Sequence, residues 1–397
     1  MATNKKPGKW RKRTIAVRGG QVRTPFQETS EPLIFTAGYA YETAEEAEGR
    51  FTGTSPGYQY SRIANPTVSM FEERMAQLEG APVARATATG MAAVSAVFLA
   101  GLKAGDHVVS ANALFGSCRY VIETVLSRFG ITATFVDGSD LSAWEAAMRP
   151  ETKLLFVETP SNPTLQIVDI AAVAKIADSR GARLIVDNAF ASPALQRPME
   201  LGAHIVVHSS TKFIDGQGRA LGGVILCQQD FLDENLNMFL RNTGPSISPF
   251  NAWLHLKSLE TLELRVKQHC ENAMKVADFL SHQKKVTRVI YPFRADHPQH
   301  NLARAQMDGG GGVVSFEIEG GKNAVFRCAN ALQLIDISNN LGDAKSLFTH
   351  PETTTHQKMT PEARAAGGVT SGLVRLSVGL EDTDDLCDDL DQALKVA

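Results

Sequence analysis

A lysine that directly follows a buried strand is badly placed to be a solvated charge. Lys212 comes straight after the apolar run HIVVHSST (204–211), so it projects from a strand end into a crevice with Ser209 and Thr211 beside it. Most lysines are surface charges, but this setting suits one that forms a Schiff base next to a phosphate, with the hydroxyls donating to the phosphate oxygens. The same hydroxyls could simply cap a loop. Asp187 ends a second apolar run, RLIVD (183–187). A buried carboxylate needs a cation or donors to stay ionised, and a protonated ring nitrogen would serve. At an effective dielectric near 20, a pair about 4 Å apart is worth about 4 kcal/mol, or roughly three pKa units. The plainer use of Asp187 is to cap the next loop. TGM (89–91) opens the helix MAAVSAVFLAGL, whose free N–H groups and dipole suit an anion, with Gly90 allowing close approach. Many helices begin with glycine for steric reasons alone. Arg375, in LVRLSVG (373–379), sits between apolar neighbours on an alternating strand pattern. It must meet either an internal acid or a substrate carboxylate, which its planar fork binds bidentately.

The elements that would position these residues are visible from about residue 68 onward. Amphipathic helical stretches alternate with the β-rich runs HVVSA (107–111), TATFVD (132–137), KLLFVE (153–158), RLIVD (183–187), HIVVHS (204–209) and GGVILC (222–227). Such alternation marks βαβ units, and runs apolar on both faces imply a mainly parallel sheet covered by helices on each side. In that arrangement ligands gather at the carboxyl ends of the strands. The residues found there are polar: Asn112, Glu158, Ser161, Asn162, Asp187, Asn188, and Ser209 to Lys212. Asp169 can cap the helix IAAVAKIADSR, and Gly181 can close it. After the turn-rich NTGPSISPF (242–250), a helical pattern over about 251–283 reads as a bridge into a smaller unit. There GGGG (309–312) leads the strand VVSFEIEG (313–320).

At 397 residues and 43% hydrophobic, the chain can bury a large core, enough for two or three domains. A net charge of -3 predicts no strong pull toward nucleic acid or a membrane surface, leaving small molecules as partners. The apolar stretch 90–102 is too short for a bilayer span of about 20 residues. Five cysteines, Cys118, Cys227, Cys270, Cys328 and Cys387, stand far apart and read as reduced thiols. The ten histidines form no helical HExxH; His297 and His300 in HPQH read as loop, so no metal site is expected. The first thirteen residues carry Lys5, Lys6, Lys9, Arg11, Lys12 and Arg13 with no acid and no following apolar segment. They read as a solvated arm in a cytoplasmic protein.

Taken in order, YSRIANPT (60–67), ATGMAA (88–93), ETPSNPT (158–164), VDNAF (186–190), HSSTKF (208–213), HPETTTH (350–356) and VRLSVGLE (374–381) make the chain resemble a known family over about residues 25–395. It is the cystathionine γ-synthase-like, or Cys/Met metabolism, branch of fold-type I pyridoxal-phosphate (PLP) enzymes. The resemblance implies an α/β fold: a mainly parallel seven-stranded sheet with helices on both faces, plus a smaller α+β C-terminal domain. It also implies an N-terminal arm (1–64) reaching the neighbouring subunit, a PLP-binding large domain (65–255) and a small domain (256–397). Carried over by position, it makes Lys212 the Schiff-base lysine and general base, and Asp187 the partner of the pyridine nitrogen. Gly90, Met91, Ser209 and Thr211 become phosphate ligands, and Asn162 bonds the ring hydroxyl side. Arg375 would hold the substrate carboxylate, with Asn340 also in the substrate site. Tyr60 and Arg62 would reach the phosphate of the neighbouring subunit's cofactor, making a two-fold dimer obligatory. Two such dimers would form a homotetramer.

Three departures point to a branch. Where lyases and cystathionine synthases of the family carry a ring-stacking tyrosine, this chain has Leu114-Phe115-Gly116, and Phe115 can stack but cannot carry a proton. NLGDAKSL (340–347), with Asp343 and Lys345, resembles the sulfhydrylase branch, acetyl-ester enzymes included, although those usually keep the tyrosine; ETSEPL (28–33) resembles the sulfhydrylases that act on succinyl esters. The implied reaction is γ-replacement in methionine biosynthesis, O-succinylhomoserine and sulfide giving homocysteine and succinate. Cystathionine γ-synthase or γ-lyase chemistry is the alternative within the family, and a non-catalytic PLP-binding protein the alternative outside it.

Overall fold

The computed structural model describes residues 10–397. Lys5, Lys6 and Lys9 of the basic arm therefore lie outside the described residues. From Lys12 the chain departs from the expectation of a solvated arm. Lys12–Arg18 is a helix that buries Ala16, with Lys12 Nζ 2.9 Å from Asp308 and Arg13 Nε 2.8 Å from Glu263. Two exposed ion pairs are each worth little. The buried alanine and the contact with the helix Pro66–Glu79 add the rest.

Seven strands form the first sheet: β1 (Val83–Thr87), β2 (His107–Ala111), β3 (Thr132–Val136), β4 (Thr152–Glu158), β5 (Arg183–Asp187), β6 (Ile205–Ser209) and β7 (Gly223–Cys227). Their order is β1-β7-β6-β5-β4-β2-β3. The pairs β2–β3, β2–β4, β4–β5 and β5–β6 are parallel, whereas β7 runs antiparallel to both β6 and β1. The six runs read from the sequence are six of these strands. The seventh, VARAT at β1, has an arginine at its centre and a half-buried edge, so its apolar pattern is weak. Strands β2 and β7 are buried throughout, as expected for strands covered on both faces.

A second sheet has the order β10-β11-β12-β9-β8, with β8 (Val286–Ile290), β9 (Val313–Ile318), β10 (Asp336–Ile337), β11 (Leu347–Thr349) and β12 (Leu373–Ser377). Only β10–β11 is parallel. The helices Leu262–Ser281, Gly321–Ala331 and Thr383–Leu394 cover it around a separate core that includes Phe316, Phe348 and Leu390.

The long helical pattern over 251–283 is two helices, Pro249–Leu259 and Leu262–Ser281, interrupted at Glu260 and Thr261. Arg265 explains the break. Its Nη2 donates to the Ser258 carbonyl (3.0 Å), an acceptor that a continuous helix would use, and its Nε to Thr261 Oγ1 (3.3 Å). The same guanidinium also donates to the carbonyls of Phe213 (2.8 Å) and Ile214 (3.1 Å), directly after Lys212. The break therefore lets one buried arginine tie the lysine's loop to the helix. Arg265→Met keeps the apolar stem but leaves these carbonyls unpaired, so it should cost about 2–4 kcal/mol. A lowered urea midpoint would show it, and an unchanged midpoint would show that other donors take over those carbonyls.

Candidate active site

Parallel register brings the chemistry together. Glu158 at the end of β4 lies opposite Asp187 at the end of β5, which lies opposite Val207 two residues before Ser209. A cavity of about 1440 Å³ opens above these strand ends. It is lined by Gly90, Met91, Phe115, Asn162, Asp187, Ser209, Thr211, Lys212 and Arg375, nine of the residues singled out in the sequence. Asn340 joins them through a bond from Lys212 Nζ to its Oδ1 (2.6 Å). Tyr60 and Arg62 do not line this cavity. They border a separate cleft with Phe35, Ser246 and Pro249, the Arg62 guanidinium lying 5.5 Å from the Tyr60 ring.

Buried amides set the loops that hold the strand-end residues. Asn188 donates to the Gln196 carbonyl (2.9 Å), and Gln196 donates to Asn188 Oδ1 (3.0 Å) and to the Thr159 carbonyl (2.8 Å). The turn after β5 is thereby locked to the turn after β4. Across the cavity, Ser315 on β9 donates to the Pro163 carbonyl (2.5 Å), joining the second sheet to the same loop.

The electrostatics are unusual. Burial and then the neighbouring Asp187 push the Glu158 carboxyl well above the usual carboxylate range. Burial raises Asp187 to about 6, although Ala189 N donates to its Oδ1 at 3.0 Å. Neither carboxyl has a cationic side chain within salt-bridge distance among the described residues. Lys212 falls to about 8, first through desolvation and next through the Arg375 charge, with Asp187 opposing. Arg375 is 1% exposed and is lowered to about 10 by burial. It meets no acid; its Nη1 donates to Asn162 Oδ1 (3.1 Å) and its Nη2 to the carbonyls of Asn339 (2.8 Å) and Asn340 (3.0 Å). Its Nε is buried without a partner. The internal salt bridge left open by the sequence is therefore not made.

These features fit PLP and an amino-acid substrate. The helix Gly90–Gly101 starts at the cavity, and its Thr89 cap accepts only from Ala92 N (3.0 Å), leaving the N–H groups of Gly90 and Met91 for an anion. A Cβ on Gly90 would lie 2.7 Å from Ser209 Cβ, so only glycine lets this helix end meet β6 closely. Asp187 is a carboxylate in need of a cation, and Arg375 a cation in need of an anion. Phe115 offers a ring face. Thr211 Oγ1 is partly engaged, accepting from Gly222 N at 3.1 Å.

Glu158 belongs to the site although no role was assigned to it from sequence. Its Oε2 accepts from Phe115 N (2.6 Å) and its Oε1 from Asn162 N (3.0 Å), so one buried carboxyl places two cavity residues. Its position at the end of an apolar run was the signal. His208 faces away from the cavity residues toward Glu79, 3.0 Å from its Oε2, with both side chains buried.

The family model described as Cys/Met metabolism PLP-dependent enzyme matches residues 13–395. The chain belongs to that family. Its two sheets are those of a fold-type I PLP enzyme, and its cofactor is PLP. It is 52% identical over 385 residues to the O-succinylhomoserine sulfhydrylase of Mycobacterium tuberculosis, covering 96% of this chain and 95% of the relative. It is 44% identical to the L-methionine gamma-lyase of Pseudomonas putida, over 92% of each. A solved putative O-acetylhomoserine (thiol)-lyase from Campylobacter jejuni, with a pyridoxyl-lysine monophosphate at its position 205, superposes with a TM-score of 0.93. The two share 34% identity over 97% of this chain and 100% of that one.

An amine attacks an aldehyde only in its neutral form, so capture of a small aldehyde by Lys212 in cofactor-free protein should rise with pH and level off above about 8. Borohydride trapping followed by peptide mapping reads this. A yield still climbing through about 10.4 would return Lys212 to the ordinary lysine value.

Proposed function

We propose that this chain catalyses γ-replacement, converting O-succinylhomoserine and sulfide into homocysteine and succinate. The observation that carries the reading is the 52% identity, over 96% of the chain, to a relative named O-succinylhomoserine sulfhydrylase. Phe115 supports it, since the aromatic residue at the cavity wall has no hydroxyl with which to shuttle a proton. The γ-lyase reading rests on the 44% relative; a non-catalytic PLP-binding protein would use Lys212 and Asp187 for the cofactor but would have no use for Arg375 beside them.

When bound, PLP supplies a carbonyl for the amine and a ring that takes up electrons from the substrate Cα. In this reading the Gly90 and Met91 N–H groups, with Ser209 and Thr211, hold its phosphate, and Asn162 meets its hydroxyl side. Phe115 covers the ring face. Asp187 keeps the ring nitrogen protonated, each of two charges compensating the other's burial. Arg375 offers its unpartnered Nε edge to the substrate carboxylate. Lys212 Nζ, held by Asn340 Oδ1, takes a proton from Cα, gives it up to the cofactor side, then takes one from Cβ, and after sulfide has added protons are returned to Cβ and Cα. An amine near 8 divides between its acid and base forms close to neutral pH, the condition for giving protons back as readily as taking them. Succinate departs from Cγ, and sulfide adds at that carbon.

Tyr60 and Arg62 enter the reading through a second subunit. They border an outer cleft that the exposed Phe35 (73%) also lines, surface that a two-fold partner would cover. We take the assembly to be a homotetramer of two such dimers, in the cytoplasm, with the arm, large and small domains bounded at residues 64 and 255.

Mass spectrometry of products tests the reaction. Homocysteine formed chiefly from the succinyl ester and sulfide is expected; cystathionine from added cysteine, or 2-oxobutyrate without a thiol, would move the assignment to synthase or lyase. Asp187→Asn should reduce kcat at least about 100-fold with PLP still bound, since a contribution of roughly three pKa units to the ring nitrogen is lost. A fall of less than about tenfold would remove Asp187 from that role.

A further inference from the structure

The proposed substrate carries one more negative charge than its acetyl counterpart, at the far end of the acyl chain. Four cations line the cavity: Lys212, Arg375, Arg119 and Lys358. The first two are committed to the reacting end. Arg119 lies over the Phe135 ring (4.1 Å to its centroid), and its Nε is 3.3 Å from Glu123, itself a lining residue, so the pair presents little net charge. Lys358 differs. Among the described residues no carboxylate lies within salt-bridge distance of its ammonium, and no side-chain hydrogen bond engages it.

Its backbone, in contrast, is firmly held. His356 N donates to the Pro351 carbonyl (2.9 Å), Gln357 N to that of Thr354 (3.3 Å) and Met359 N to that of His356 (3.1 Å). Arg364 Nη1 donates to the Met359 carbonyl (2.7 Å), and His356 is 2% exposed. The turn is seated against the Phe115 wall, because a Cβ on Gly116 would lie 3.0 Å from the Thr355 carbonyl. Lys358 is an exposed residue on the cavity wall; with its main chain pinned on both sides and its ammonium unpaired among the described residues, it is available to an anionic ligand entering there.

We infer that Lys358 selects the acyl group, its ammonium pairing with the distal carboxylate of the succinyl ester. This rests on the γ-replacement reading above. Lys358 makes no contact with the reacting atoms, so it acts on ester binding and its effect falls on KM more than on kcat. The carboxylate is the recognised group; the ester oxygen and the amino-acid end are common to both esters.

The test compares kcat/KM for O-succinyl- and O-acetylhomoserine, with sulfide, in the PLP-loaded parent, Lys358→Gln, Lys358→Glu and Lys358→Arg. The succinyl-to-acetyl ratio should fall about tenfold in the Gln variant, further in the Glu variant, and be largely restored in the Arg variant. In the parent, KM for the succinyl ester should rise with added salt more steeply than KM for the acetyl ester. A ratio unchanged in both Gln and Glu variants overturns the inference while leaving the reaction intact. A parent with no preference for the succinyl ester overturns the substrate reading and the inference with it. Equal losses on both esters would assign Lys358 to the turn's structure and also count against selection.

Discussion

Glu158 and Asp187 stand side by side on adjacent strands, in the low-dielectric rim of a sheet, without a cation to share. Two carboxyls so placed cannot both be charged cheaply, because each pays for desolvation and for the other's field. The backbone resolves the conflict by giving them different tasks. Burial and Asp187 push Glu158 far upward although two N–H donors oppose the shift, and those donors make it a positioning group for Phe115 and Asn162. Asp187, at about 6, has one such bond, from Ala189 N. In the proposed reading its charge is compensated by the cofactor's ring nitrogen, so that binding would offset part of the cost these strand ends carry in the bare protein.

Elsewhere the chain compensates its buried charges internally. Arg74, fully buried, donates to the Gly19 carbonyl (2.8 Å), the Leu256 carbonyl (3.1 Å) and Glu31, and Lys257 donates to Glu31 at 3.0 Å. This network fastens ETSEPL to two helices, which gives that sequence departure a structural use. Arg265, also buried, is held by neutral acceptors alone, three carbonyls and Thr261 Oγ1, and these engage its whole guanidinium. Arg375 likewise meets only neutral acceptors, but it keeps a buried Nε with no partner among the described residues. That free edge, rather than the lack of an acid, is what argues for a ligand.

The sequence resolved the parts whose cause is local. Six strands announced themselves through unbroken apolar runs, and Asp169 caps its helix through Ala172 N at 2.9 Å, as the spacing required. The cluster of polar residues at strand ends located the cavity. What could not be read was set by contacts far apart in the chain. The bond between Lys212 and Asn340 spans 128 residues, and the helix break at Thr261 is fixed by carbonyls that lie about 50 positions upstream. The edge strand β1 failed the pattern because Arg85 sits at its centre and its residues are mostly only half-buried. Part of the basic arm failed for a related reason: the charges of Lys12 and Arg13 are matched by acids that only tertiary structure brings near.

The cavity draws on both sheets unequally, and the division has a physical logic. The strand ends of the first sheet, with their rigid parallel ladder, supply Asp187, Ser209 and Lys212, the groups whose positions chemistry fixes most tightly. The second sheet and its connections supply Arg375, Asn340 and the 350–360 turn; in the proposed reading the first two serve the amino-acid end and the turn faces the acyl end that varies. Rigid ladders tolerate little variation without losing register. A turn held by its own backbone bonds can change a side chain such as Lys358 without disturbing the ladder behind it. In the proposed reading, this division lets the fold keep one cofactor chemistry while the ester it accepts is set by residues on the 350–360 turn.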